Sequence, residues 1–97
     1  MKFDNIEAVR QVIDSLDAQL VSLIAQRSEC VKAAAKFKKD SEAVRAPERV
    51  QQVIDKVREQ AKLNGLSEDI IEQVYRTMIT AFIDFELQQH AKLEQHN

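Results

Sequence analysis

The chain has little of what interrupts a helix. Among its 97 residues there is one glycine, Gly65, and one proline, Pro47, and there is no tryptophan. So few breakers exclude a turn-rich β fold and leave room for only two or three interruptions between long helices. Cysteine is nearly absent too: Cys30 has no second cysteine for a disulfide or a cysteine metal site, which fits a reducing compartment. Neither sign of charge dominates. A net charge of −2 and a pI near 5.7 provide no basic field for a phosphate backbone, so no nucleic-acid partner is expected. No run approaches the roughly 18 apolar residues of a membrane span. Met1–Asn5 has no apolar leader. One all-α, cytoplasmic domain over residues 1–97 is expected, without a membrane partner.

What is present begins with periodicity. Ile6, Val9, Ile13, Leu16, Leu20, Leu23, Arg27, Cys30, Ala34 and Phe37 succeed one another at steps of 3 and 4. This is the seam of a helix packed lengthwise against others, and it predicts one helix from Asn5 to Lys39, roughly 50 Å long. Asp4 or Asn5 suits its cap and Glu7 its first turn. The periodicity lapses over 40–46, predicting a loop that ends at Pro47, a residue suited to the first turn of a new helix. The second, short helix carries Val50, Val53, Ile54, Val57 and Ala61 on one face. Asn64-Gly65 stops it, with Leu66 placed to fold back on its end. Ser67 caps a third, long helix running to about Lys92, with Ile71, Val74, Tyr75, Met78, Ile79, Phe82 and Phe85 inward. The polar tail, 93–97, is expected to fray.

These lengths do not match, so one chain leaves much of the first apolar stripe wet. Exposed patches of that size mark interfaces. The expectation is an intertwined homodimer with first helices packed across a two-fold axis.

The charges then stand out. Arg27 interrupts the apolar seam, and a guanidinium there requires an anion from the protein or from a ligand. Lys38 lies 11 residues on, three helical turns, so the two cations share a face and could hold a small dianion. Arg10, 17 residues before Arg27, is about 25 Å away on a straight helix and reaches such a ligand only from a second chain. Taken singly, Arg10, Lys38 and Arg49 also read as solvated surface cations. Glu86 follows Phe82 by four and Met78 by eight on the inward face of the third helix. It is either a structural counter-ion for Arg27 or an acid that touches a ligand. Asp17 flanks the seam and reads as structural. His90 and His96, in the polar end, read as solvated. No nucleophile–base pair, HExxH, CxxC or glycine-rich phosphate loop is present, so neither a metal nor a cofactor is expected. The residues point to a cationic pocket that binds a small anion and catalyses by electrostatics.

The segment Val9-Arg10-x-x-Ile13-Asp14-x-Leu16-Asp17-x-x-Leu20-Val21-x-Leu23-Ile24-Ala25-x-Arg27 resembles the opening helix of the all-helical chorismate mutases. The likeness continues through Lys38, Ala46-Pro47-Glu48-Arg49, Asn64-Gly65-Leu66 and Tyr75-Arg76-x-Met78, covering nearly the whole chain. The resemblance implies an intertwined dimer with two active sites. In it Arg10 of one chain and Arg27 of the other bind the two carboxylates of chorismate. Lys38 contacts the ether oxygen and a carboxylate, and Arg49 lines the pocket. The implied reaction is the cofactor-free Claisen rearrangement of chorismate to prephenate, driven by holding a compact conformer and stabilising charge on the ether oxygen.

Three positions depart from that pattern. Ala46 and Val50 stand where the mutases carry acids, the second of which contacts the ring hydroxyl. The stretch Val31-Lys32-Ala33-Ala34-x-x-Phe37-Lys38, with Ala46-Pro47-Glu48-Arg49-Val50, instead resembles the isochorismate pyruvate-lyases of salicylate pathways, whose substrate carries its hydroxyl elsewhere. Glu86 replaces the usual glutamine donor to the ether oxygen, and a carboxyl group donates only when protonated. Activity is therefore expected to be higher at acidic pH. With Phe82, Ala46 and Val50 form the expected pocket wall. The readings are a chorismate mutase, an isochorismate pyruvate-lyase with mutase side activity and, from another class, a non-catalytic helical dimer module.

Overall fold

The computed structural model describes the backbone of residues 2–95 and the side chains of residues 2–92. Its elements are four helices in order: α1, Ile6–Ala35; α2, Ser41–Arg45; α3, Pro47–Leu63; and α4, Glu68–Gln95. Among the described residues there is no strand. The chain divides into two compact units, Met1–Ala33 and Ala34–Asn97.

The first unit is essentially α1. Asn5 begins it, its side-chain oxygen accepting the Ala8 N–H at 2.8 Å. No residue of α1 is buried in the single chain, and Ile6, Ile13, Leu16, Leu20, Val21, Leu23 and Ile24 are all exposed. The apolar seam anticipated from spacing is thus present and uncovered.

The helix ends earlier than its periodicity suggests. The amides of Phe37 and Lys38 donate to the carbonyls of Ala34 and Ala35, at 3.0 and 3.1 Å, which tightens the last turn. The chain then leaves the helical path at Asp40, whose extended backbone and side chain cap α2 by accepting the Ala43 N–H at 2.8 Å. A local cap competes with continuing the helix, and here it wins. Two expectations are corrected. Segment 40–46 is not a loop but a capped five-residue helix, and Phe37, 86% exposed, lies beyond α1 and outside its seam.

The second unit is built on an antiparallel hairpin of α3 and α4. Its turn follows the anticipated punctuation. The Leu66 N–H returns to the Ala61 carbonyl at 2.8 Å and the Gly65 N–H to that of Lys62 at 3.3 Å. Gly65 at φ 70° takes the left-handed position this double closure requires. The Ser67 hydroxyl accepts the Ile70 N–H at 3.3 Å, capping α4. The core comes from three helices: Val44 of α2, Ile54, Val57 and Ala61 of α3, and Ile79 of α4. Val74 and Phe85, expected inward, are exposed on α4. Ile70, Val74 and Phe85 form a second apolar row, distinct from the row containing Ile79 and Glu86. The tail also differs from expectation, because α4 continues to Gln95; His96 lies outside the described residues.

The junction of α2 and α3 is strained. Ala46 has φ 38° and ψ 60°, a left-handed conformation that a β-carbon disfavours, and it precedes a proline. Such a residue costs about 1–3 kcal/mol. Burial of Val44, 3% exposed, contributes about 1.5–3 kcal/mol in the opposite direction. Burial at Val44 is thus of a size to offset the strain at Ala46.

Candidate functional site

The open end of the α3–α4 hairpin gathers several of the anticipated residues. Counting back from Leu63, Val50 lies about 20 Å along α3; counting forward from Glu68, Phe82 lies about 21 Å along α4. Antiparallel pairing therefore sets Val50 level with Phe82, with Arg49 one residue before Val50 and Glu86 one turn beyond Phe82. Ala46, Val50 and Phe82 are half-buried, and Arg49 is exposed.

Glu86 is 7% exposed, the one buried charged residue among the described side chains. Its Oε2 accepts a hydrogen bond from Lys38 Nζ at 3.0 Å, and Lys38 is itself half-buried. Lysine and glutamate come from positions 48 residues apart, and the contact depends on Lys38 standing clear of α1. A buried carboxylate is tolerated where a cation and a hydrogen bond are supplied together, as here. Of the two partners open to Glu86 from the sequence, ligand or Arg27, the observed one in this unit is a third group, Lys38. The argument that Lys38 shares a helical face with Arg27 does not hold, because α1 stops at Ala35.

Arg27 is half-buried on α1, and Arg10 lies exposed on the same helix, its Nη1 3.3 Å from Glu7 Oε1. Their separation along α1 remains about 25 Å. The second unit thus assembles Lys38, Ala46, Arg49, Val50, Phe82 and Glu86, while Arg10 and Arg27 belong to the first. His90, read as solvated, is half-buried.

A second charged cluster is brought together by the hairpin. Arg58 of α3 donates to the Glu68 carbonyl, to Asp69 at 3.2 Å and to Glu72 at 2.7 Å, and Arg76 holds the other Glu72 oxygen at 2.7 Å. Hydrogen bonding to Asp69, then to Glu72, raises the affinity of Arg58 for its proton. Hydrogen bonding from Arg76, then from Arg58, holds the Glu72 carboxyl below the usual glutamate value. This network ties the first turns of α4 to α3 near the hairpin turn, away from Glu86. The three acidic residues lie 10 to 14 residues from Arg58, across the hairpin turn, a spacing no helical periodicity flags, whereas Arg76 and Glu72 are an ordinary i,i+4 pair. Among the described residues no group of three or more histidine, cysteine or acidic side chains is placed to hold a metal ion. Nor, among the described residues, is any helix long and apolar enough to cross a membrane.

Comparison with known proteins gives the same family as the motifs. Residues 9–87 match the family model described as chorismate mutase type II. The chain is also 33% identical over 75 residues to an isochorismate pyruvate lyase of Pseudomonas aeruginosa, covering 77% of this chain and 74% of that protein. The matched region takes in the Arg10 and Arg27 positions on α1, Lys38, the start of α3 and Glu86. The chain belongs to the chorismate mutase type II family of enzymes.

Proposed function

We propose that the protein is a cofactor-free pericyclic enzyme that rearranges chorismate to prephenate. The observation that carries the reading is the Lys38–Glu86 contact, a half-buried ammonium held at 3.0 Å from a buried carboxyl. In this reading Lys38 stabilises the charge that grows on the ether oxygen as the C–O bond breaks and the new C–C bond forms. Arg27 and Arg49 bind carboxylates, Phe82, Ala46 and Val50 wall the ring, and Arg10 enters from a second copy. Glu86 donates to the ether oxygen in its protonated form. The whole stretch works as one domain in the cytoplasm; an exposed, free Cys30 fits a reducing compartment.

The working unit of this proposal is an intertwined homodimer. Two uncovered apolar rows support it, the α1 seam and the Ile70–Val74–Phe85 row of α4. Sedimentation should give twice the chain mass at micromolar concentration; a stably folded monomer there refutes the shared site.

A second reading, an isochorismate pyruvate-lyase with mutase side activity, is favoured by the apolar Ala46 and Val50 and by the lyase relative. Separate incubations decide between them: prephenate from chorismate supports the mutase, salicylate plus pyruvate from isochorismate the lyase. If neither substrate turns over, the non-catalytic dimer is left. The role of Glu86 has its own test. Activity should rise as pH falls from about 8 to about 5, and Glu86→Gln should extend it upward. A flat profile, the same in both proteins, removes Glu86 from the chemistry.

A further inference from the structure

Residues 38–50 carry four groups of the proposed pocket, Lys38, Ala46, Arg49 and Val50, and one buried residue with no part in it, Val44. Val44 is the buried residue of α2, the short helix that packs on α4. Apart from the Lys38–Glu86 contact itself, the segment's hydrogen bonds are exposed or local. Asp40 caps Ala43 at 2.8 Å at an exposed position, and the Ala46 N–H reaches the Glu42 carbonyl at 3.1 Å within the same turn. Hydrogen bonds open to water trade against water and add little net hold. Ala46, left-handed ahead of Pro47, works against the seated arrangement. Two ties then hold the segment on α4: the Lys38–Glu86 pair at its start and the side chain of Val44 at its middle.

We infer that Val44 is a positioning residue for the pocket: its seat on α4 sets the fraction of molecules in which Lys38 reaches Glu86 and Arg49 is in register. Lys38 lies six residues before it and Arg49 five after, so neither is free to move far while Val44 is seated. The inference rests on the reading of this site as a dicarboxylate pocket and adds a residue that touches no substrate. An unseated segment does not bind, and apparent affinity falls by the seated fraction. Saturating substrate draws the segment back, so kcat survives. A residue that merely supported the fold would lower the amount of active enzyme, reducing kcat with KM unmoved.

The experiment compares the unaltered chain with Val44→Ala and Val44→Ile, using chorismate and isochorismate turnover and residue-resolved amide hydrogen exchange. Val44→Ala should raise KM about tenfold with kcat within about twofold. Exchange at the Ala43 and Ala46 amides should quicken by a similar factor while Ile54 and Val57 in α3 stay as they were. Val44→Ile should restore both. Val44→Thr, alike in shape but with a hydroxyl for a methyl, serves the same comparison should Val44→Ala lose the fold. Unchanged KM, unchanged exchange at Ala43 and Ala46, or a fall in kcat alone overturns the inference. If the unaltered chain turns over neither substrate, the functional reading has failed; exchange at Lys38, Ala43 and Ala46 in Val44→Ala then still decides whether Val44 seats the segment.

Discussion

The two units solve the burial problem differently. The second has an interior of its own: Ile54 is 1% exposed, Val57, Ala61, Ile79 and Val44 are buried around it, and a hairpin with a double hydrogen-bonded turn holds them. The first is a single helix whose apolar side chains all remain in contact with water in one chain, Leu23 being 59% exposed. An isolated helix gains little from propensity, and its stability comes from packing an apolar face. α1 therefore depends on a surface from outside its own unit in a way that α3 and α4 do not. The proposed pocket has the same asymmetry: Lys38 and Glu86 meet within the second unit, while Arg10 and Arg27 ride on the helix that needs covering.

The comparison is open to attack from several sides. Ile54→Ala should cost about 2–5 kcal/mol of unfolding free energy, read from urea denaturation, since it empties the centre of the second unit's core. Leu20→Ala on α1 is the sharper probe. If a second copy covers the seam, it should cost about 2 kcal/mol or more, and Tm should rise with protein concentration. An effect within about 0.5 kcal/mol, with Tm independent of concentration, would mean that α1 stays wet and would end the dimer argument.

Smaller effects sharpen the second unit. Ala46→Gly should raise stability by about 0.5 kcal/mol, because relief of the left-handed strain slightly exceeds the extra freedom of glycine in the unfolded chain. A loss of stability would show that Ala46 is not strained. The smallest effect is electrostatic. Glu72 has its proton affinity lowered by Arg76 and then Arg58, so its contribution is present above the ordinary glutamate value of 4.5 and is lost as pH falls through the lower folded-state value. Urea midpoints measured from about pH 5 down to about pH 3 should fall more steeply for the unaltered chain than for Glu72→Gln. Parallel curves would leave the network without a stabilising role.

Much of the fold was legible because its signals are local. Pro47 opens α3, Gly65 and Leu66 close it, and Ser67 opens α4, each through a backbone conformation or a cap that acts within one turn. The same rule explains the main miss. Asp40-Ser41-Glu42 carries a capping signal, but the run of apolar steps through Phe37 outweighed it, and α1 was extended past Ala35. Lys38 was thereby placed on the wrong element, and the helical face it was expected to share with Arg27 does not exist. Val74 and Phe85 were misplaced for another cause. α4 has apolar residues on two sides, and periodicity alone does not say which side meets α3.

Sequence alone therefore determined an all-helical chain, its main punctuation, its family and the short list of charged residues worth testing. Those follow from hydrogen bonds and propensities that span a turn or two, and from motifs whose order is preserved along the chain. Tertiary structure decided that Glu86 is buried and that its partner is Lys38, 48 residues away, because that pairing depends on the register of one hairpin and on where α1 lets the chain go. It also decided that the α1 seam, so regular in sequence, is left uncovered in the single chain.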